Sequence, residues 1–383
     1  MTLPARFALL FAAQFAAIGA MMPFLPAVLQ SKGLSAEQVS AVLAAGSAVR
    51  LLAAPAIGRG ADRVGAPRRV LVLAAAVAGC TASGYALAPG GGGFAFAALL
   101  GVALLHSLFL APVVPLSDAL WLGASRRLRF DYGRVRSAGS AAYIAGAVAA
   151  GQVAAFFEPP AVVWLYAAGL LLAALAARGL PGEEGAAAGG GRVGFAAPFR
   201  ERAFRWLLPL SALIQGSHAL YYGFSTIHWT AAGLSPGVIG LLWAEGVVAE
   251  VLLFLWGGGL AARLGPAGLA AVAAGAGVVR WGVTAGTTWL PALAAVQVLH
   301  SITFGAQHLG AMRVLAGMPA AQAATAQTLH SSLGTGLAMG VLTLLSGPLY
   351  ARFGGDGFWA MAALCAAALP VAVGLRAALV RRG

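Results

Sequence analysis

Residues 33 to 65 and 233 to 265 repeat one apolar hairpin at an offset of 200 positions, and this repeat constrains the fold more than any other feature of the chain. Gly33-Leu34-Ser35 returns as Gly233-Leu234-Ser235. Between these markers Val39 matches Ile239, Gly46 matches Gly246, Leu52 matches Leu252 and Gly58 matches Gly258, and both copies end in Arg-x-Gly at Arg63 and Arg263. A duplicated set of apolar segments predicts two pseudo-symmetric halves, the usual mark of a secondary carrier.

The 383 residues are 60% apolar and 9% charged, so lipid rather than water must solvate most of the outer surface. A span needs about 20 mostly apolar residues. Twelve are predicted, near 6–30, 36–60, 69–88, 94–121, 135–156 and 160–177, then 204–230, 236–261, 267–286, 290–314, 323–349 and 357–378. The polar stretch 179–203, with Pro181, Glu183, Glu184 and Gly189-Gly190-Gly191, predicts a cytoplasmic tether. It would join a six-helix bundle of residues 1–178 to a second of residues 204–383. Leu105-His106-Ser107 in the fourth span recurs as Leu299-His300-Ser301 in the tenth, which supports six spans per half.

The formal charge of +13 takes its meaning from location, because cationic residues are retained on the cytoplasmic side of short membrane loops. Of 24 Lys and Arg, all but Lys32, Arg352, Arg50 and Arg280 fall on one side of the predicted spans. Both termini are therefore expected in the cytoplasm, and the charge reports topology rather than a nucleic-acid partner. The first thirty residues read as an uncleaved span rather than a secretory signal. Cys80 and Cys365 lie in apolar segments of different halves and read as packing residues, not a disulfide.

The loop between the second and third spans reads Gly58-Arg59-Gly60-Ala61-Asp62-Arg63-Val64-Gly65 and then Arg68-Arg69. With twelve spans and a central tether, it resembles the major facilitator superfamily signature, and its degenerate copy keeps Gly258, Arg263 and Gly265 with Ala262 at the acidic position. The resemblance implies an all-α membrane protein of twelve helices in two six-helix bundles, working as a monomer in a bacterial inner membrane. It also implies a charged latch of Gly58, Asp62, Arg63, Gly65 and Arg69. A closer resemblance is to the phenylpropionate permease group, and a more distant one to the lactose permease type of sugar/proton symporter. Asp131 to Arg136, Tyr221 to Thr226, and Ile239 to Glu250 continuing to Val279-Arg280-Trp281 carry it. In the lactose permease type the tenth span has a His followed three residues later by an acid. His300 matches that His, but Thr303 replaces the acid.

Ionisable side chains inside a bilayer cost roughly 2.5–3.5 kcal/mol each at a span centre, so each one needs a partner or a watery cavity. Glu250 lies about 12 residues from the cytoplasmic end of its span and Arg280 about 14 from the start of the next, which at 1.5 Å per residue gives matching depths. A Glu250–Arg280 pair is therefore expected, either as a fixed bridge or as a pair that breaks when Glu250 takes a proton. Glu245, on another part of the same helix, is the competing proton site, and His300 is a third candidate for proton coupling. The repeat puts Arg50 at the position equivalent to Glu250, where it would face a cavity, the eleventh span or a substrate carboxylate. Asp118 and Arg136 have matching depths across one loop and read as a gate or latch.

Helical spacing puts Gln215, His218 and Tyr222 on one face of the seventh span, with His300, Thr303 and Gln307 on the tenth and Thr325 to Thr335 flanking His330 on the eleventh. Lipid-facing helices have no reason to carry such stripes, so these faces are expected to line an aqueous cavity. Arg280, Arg50, Gln215, His218, Tyr222, Gln307 and His330 are the candidate substrate contacts, although each His by itself fits a packing role. No metal spacing, phosphate loop or nucleophile motif occurs, so no metal, cofactor or enzymatic activity is expected. These residues lead to a carrier for a small organic solute, an aromatic or other carboxylate, taken up with protons. A proton-driven efflux antiporter remains the open alternative.

Overall fold

The structure, a computed structural model, describes residues 2–128, 132–181 and 194–380, without the side chains of residues 59, 62–64, 123, 125–128, 132–136, 320 and 324. The side chains of Asp62, Arg63 and Arg136, expected in the signature loop and latch, thus lie outside the described residues, as do residues 182–193 of the expected tether. The described residues are helical and contain no strand. They divide into two compact units, one within Met1–Ala188 with Trp229–Ala244, the other within Gly189–His228 with Glu245–Gly383.

The repeat read in the sequence is built with the same turn chemistry in both copies. Gly33 and Gly233 take φ of 86° and 88°, a left-handed conformation that glycine enters without steric cost. Their amides close the preceding helix, Gly33 on Gln30 O at 2.8 Å and Gly233 on Thr230 O at 3.0 Å. The following serines then start the next helix. Ser35 Oγ accepts from Gln38 N at 3.3 Å while Gln38 Oε1 accepts from Ser35 N at 3.0 Å, a reciprocal capping box. Ser235 Oγ accepts from Val238 N at 3.4 Å. At the far end of each hairpin Gly65 and Gly265 turn with φ of 64° and 63°, ahead of Pro67 and Pro266.

In the first unit, helix Leu3–Ser31 meets helix Tyr132–Phe157 backbone to backbone. A Cβ at Gly19 would run into the Tyr143 carbonyl, and a Cβ at Gly146 into the Ala16 carbonyl, so the approach depends on both glycines. Phe7 packs edge-on to Trp121 at 4.9 Å in the core beside them. In the second unit Gly277 of helix Gly258–Gly286 lies against the Cys365 sulfur of helix Phe358–Val380, and Phe224 stacks on Tyr350 at 4.6 Å.

Among the described residues nine stretches are long and apolar enough to cross a membrane, where the sequence predicts twelve spans. The differences have local causes. The predicted span 204–230 is two helices, Arg202–Gly216 and Ala219–Ala231. Ser217 Oγ and His218 Nδ1 both donate to Ile214 O, at 2.7 and 3.1 Å, competing with the backbone for helical acceptors at the break. The predicted span 290–314 is Leu290–Gln297, a wider π-helical turn Ser301–Ala306, and Gln307–Ala316. The last two predicted spans run together as Thr325–Val380, interrupted after Phe353 where Gly354 takes φ of 53°.

Candidate functional site

Within the second unit, polar side chains from helix Ala219–Ala231 and from the tenth predicted span converge on Arg280, which is 1% exposed. Arg280 Nη1 donates to His300 Nδ1 and to Thr303 Oγ1, both at 3.1 Å, and Nη2 donates to Gln297 Oε1 at 2.8 Å. Gln297 Nε2 donates in turn to the Tyr221 hydroxyl at 3.0 Å. The guanidinium also lies over the rings of Trp281 and Tyr221, at 4.4 and 4.8 Å, which offsets part of the cost of burying a cation. Its Nε has no hydrogen-bond partner among the described residues.

These partners assign the ring protons. An arginine only donates, so His300 Nδ1 must accept and its proton sits on Nε2. That Nε2 lies 3.7 Å from Glu250 Oε2, so the N–H of the neutral ring points a dipole at the carboxylate from beyond hydrogen-bond distance. Carbonyls only accept, so His218, whose Nδ1 is 3.1 Å from Ile214 O and 3.2 Å from Gln215 O, carries its proton on Nδ1. Its Nε2 then accepts from the Thr303 hydroxyl at 3.1 Å. Thr303 is the bridge: one oxygen accepts from Arg280 and donates to His218.

The expected direct pair between Glu250 and Arg280 does not form; His300 stands between them. Two glycines account for this placement. A Cβ at Gly246 would lie 3.2 Å from His300 Cβ, and one at Gly305 would lie 3.3 Å from Glu250 Cγ and 3.1 Å from Leu253 Cδ2. Their absence of a side chain lets helix Pro236–Trp256 approach the tenth predicted span at the histidine. The π-helical turn that begins at Ser301 adds its extra residue directly after His300, and such insertions recur at functional positions.

Several candidates join this centre and others do not. Gln215 Nε2 donates to Phe304 O at 3.4 Å, and Tyr222 stacks on His218 at 5.8 Å, so the predicted stripe of the seventh span faces the tenth. His330 Nε2 and Gln307 Nε2 both meet Ser211 Oγ, at 2.9 and 3.1 Å, in a separate cluster. Glu245 is partly buried, with no hydrogen bond or ion pair among the described residues. In the first unit Arg50 is exposed and donates to Ser47 Oγ at 3.0 Å and Ser107 Oγ at 3.4 Å, and Asp118 is partly buried. Gly58 is helical with open space around it, Gly65 forms the turn described above, and Arg69 is exposed. Gln297 is the contact that sequence reasoning missed. Its signal was an amide in an apolar span three residues before His300.

The first unit repeats this contact with different chemistry. Thr81 stands fourteen residues after Pro67 as Arg280 stands fourteen after Pro266, and it meets His106 Nδ1 at 3.3 Å. His106 Nδ1 also lies 3.1 Å from Ala78 O, so it carries the proton, and Nε2 accepts from the Tyr166 hydroxyl at 2.7 Å.

A family model described as MFS_1 like family matches residues 5–361. The chain is 35% identical over 351 residues, 91% of each sequence, to a probable 3-phenylpropionic acid transporter of Escherichia coli (strain K12). It is 28% identical over 348 residues to the maltose permease of Geobacillus stearothermophilus, covering 88% of this chain and 86% of the permease. Among solved structures the nucleoside transporter NupG superposes with a TM-score of 0.84 at 15% identity over 99% of each chain. A bacterial homologue of the iron transporter ferroportin, in an inward-facing state, does so with a TM-score of 0.76 at 16% identity, over 97% of this chain and 98% of that one. At these identities the structural likeness speaks for the fold.

Proposed function

Because the chain belongs to the MFS_1-like family and is a multi-pass membrane transporter, we propose that it takes up a small aromatic carboxylate together with protons, by alternating access. In this reading it works as a monomer in a bacterial inner membrane, with twelve crossings in two six-helix halves, residues 1–178 and 204–383, joined by a cytoplasmic tether and with both termini in the cytoplasm. The observation that carries the reading is the line from Glu250 through His300 to Arg280 inside the second unit.

Arg280 supplies a buried cation with an N–H to spare, and the rings of Tyr221 and Trp281 beside it suit a planar substrate. Arg50 is the second cation for a carboxylate, since its partners among the described residues are hydroxyls only. Glu250 is the proton carrier and His300 its contact with Arg280: when Glu250 is protonated, the pull on the His300 Nε2–H ends, and the two states of the pair differ in charge. Glu245 is the fallback carrier. Gln215, His218, Tyr222, Gln307 and His330 shape the surroundings. The relative from Escherichia coli supports an aromatic acid such as 3-phenylpropionate as the first substrate to try.

The test is uptake of labelled 3-phenylpropionate, benzoate, maltose and uridine into proteoliposomes, with and without an inward proton gradient, for wild type and Glu250→Gln. Gradient-driven accumulation of an aromatic acid that disappears in Glu250→Gln, with downhill exchange kept, is the expected result. Accumulation that survives the substitution moves coupling to Glu245. If no compound accumulates under any gradient, uptake by symport is wrong and efflux becomes the reading.

A further inference from the structure

A cavity of about 400 Å³ opens on the first unit and is lined by Arg68, Arg69, Val72, Leu73, Ala76 and Arg178. Two helix ends make it: the first turn of Pro67–Ala82 and the last turn of Val162–Arg178. Its cations are not equivalent. Arg68 Nη1 donates to Leu180 O at 2.8 Å, and nearby Arg6 Nη1 donates to Gly179 O at 2.7 Å, so these two satisfy the chain leaving the second helix. Arg69 and Arg178 are exposed and have no hydrogen-bond or ion-pair partner among the described residues. No carboxylate lies in the described lining.

The rest of the wall is apolar and has a direction. Val72, Leu73 and Ala76 follow the arginines along one face of a helix that continues as an apolar stretch, Pro67–Leu87. At 1.5 Å per residue Ala76 lies about 10 Å deeper than Arg69. Leu73 is 61% exposed, an apolar side chain that only a hydrocarbon neighbour would cover favourably. Guanidinium groups at the level of the helix ends with an apolar groove beneath them match one occupant. We infer that this cavity binds an anionic phospholipid, its phosphate held by Arg69 and Arg178 and an acyl chain lying along Val72, Leu73 and Ala76. A free phosphate would use the arginines and leave the apolar wall unused.

The experiment is native mass spectrometry of the full chain in detergent, titrated separately with phosphatidylglycerol, with phosphatidylcholine of the same acyl chains, and with inorganic phosphate. Retained phosphatidylglycerol adducts are expected, weakened about 5-fold by R69Q or R178Q and about 30-fold by both, as for cations near an anionic surface. R200Q, a charge removed from the second unit, should leave them unchanged. Equal retention of phosphatidylcholine, competition by inorganic phosphate at lipid concentrations, or an unaffected double variant would each overturn the inference. Photo-crosslinking of phosphatidylglycerol to the wild-type chain needs no variant: labelling within residues 68–76 supports the site, and labelling only elsewhere rejects it.

Discussion

His106 and His300 stand at corresponding positions of the duplicated halves and hold their ring protons on opposite nitrogens. His106 donates from Nδ1 to Ala78 O at 3.1 Å, whereas His300 accepts at Nδ1 from Arg280 at 3.1 Å. The substitution of one neighbour, threonine in the first half and arginine in the second, reverses the tautomer, because a hydroxyl tolerates either role and a guanidinium only donates.

This reversal is directly measurable. With nitrogen-15-labelled histidine, His106 should give the Nδ1–H pattern and His300 the Nε2–H pattern, each assigned by its disappearance in a single variant. Finding both on the same nitrogen would break the proton assignment on which the Glu250 contact depends.

Replacing the two histidines should separate structure from transport. His106→Ala leaves the buried Tyr166 hydroxyl and Ala78 carbonyl without this partner and is expected to cost about 1–3 kcal/mol of stability, with transport kept. His300→Gln should cut gradient-driven uptake at least tenfold while the melting temperature moves little. Thermal unfolding and initial uptake rates on the same preparations check both.

Arg280→Lys keeps the charge and loses the fork. A lysine ammonium cannot hold His300, Thr303 and Gln297 in the geometry of a planar guanidinium. Charge-assisted hydrogen bonds are worth about 1.5–3 kcal/mol each, so substrate affinity should fall by about tenfold or more. An affinity within twofold of wild type would remove Arg280 from the substrate site.

Gly305→Ala is a small change at a tight place. The added methyl meets Glu250 Cγ at 3.3 Å and Leu253 Cδ2 at 3.1 Å and should push the carboxylate from His300. Loss of proton-driven accumulation with exchange retained is the expected phenotype. Gly101→Ala, where a methyl meets nothing within 4 Å, is the matched control.

Gly146→Leu should fail earlier, at assembly. Its side chain would enter the space of the Ala16 carbonyl, and backbone cannot step aside as a flexible side chain can. Aggregation in size-exclusion chromatography, or unfolding well below the wild-type temperature, is the expected readout.

Much of the fold was legible because its signals are local. Gly33, Ser35 and Gln38 close one helix and open the next with their own atoms, and Gly233 and Ser235 repeat the turn, so a reader of the chain sees the hairpin twice. Helix continuity was harder to read. The break at Ser217 and His218 comes from side chains that bond back to Ile214, and the π-helical turn after His300 from one extra residue in an apolar run, neither of which alters hydropathy. The polar centre was half legible: the residue types were named, but depth along two helices paired Glu250 with Arg280.

The sequence by itself determined an all-helical, duplicated membrane chain with Glu250, Arg280 and His300 inside its apolar spans, because periodicity, turn glycines and the cost of buried charge act along the chain. Only the tertiary structure decided which of those groups touch. Contact between helices depends on how closely their axes approach and on where each side chain points. Gly246 and Gly305 set that approach so that Glu250 faces His300, and Thr303 and Gln297 hold Arg280 behind it.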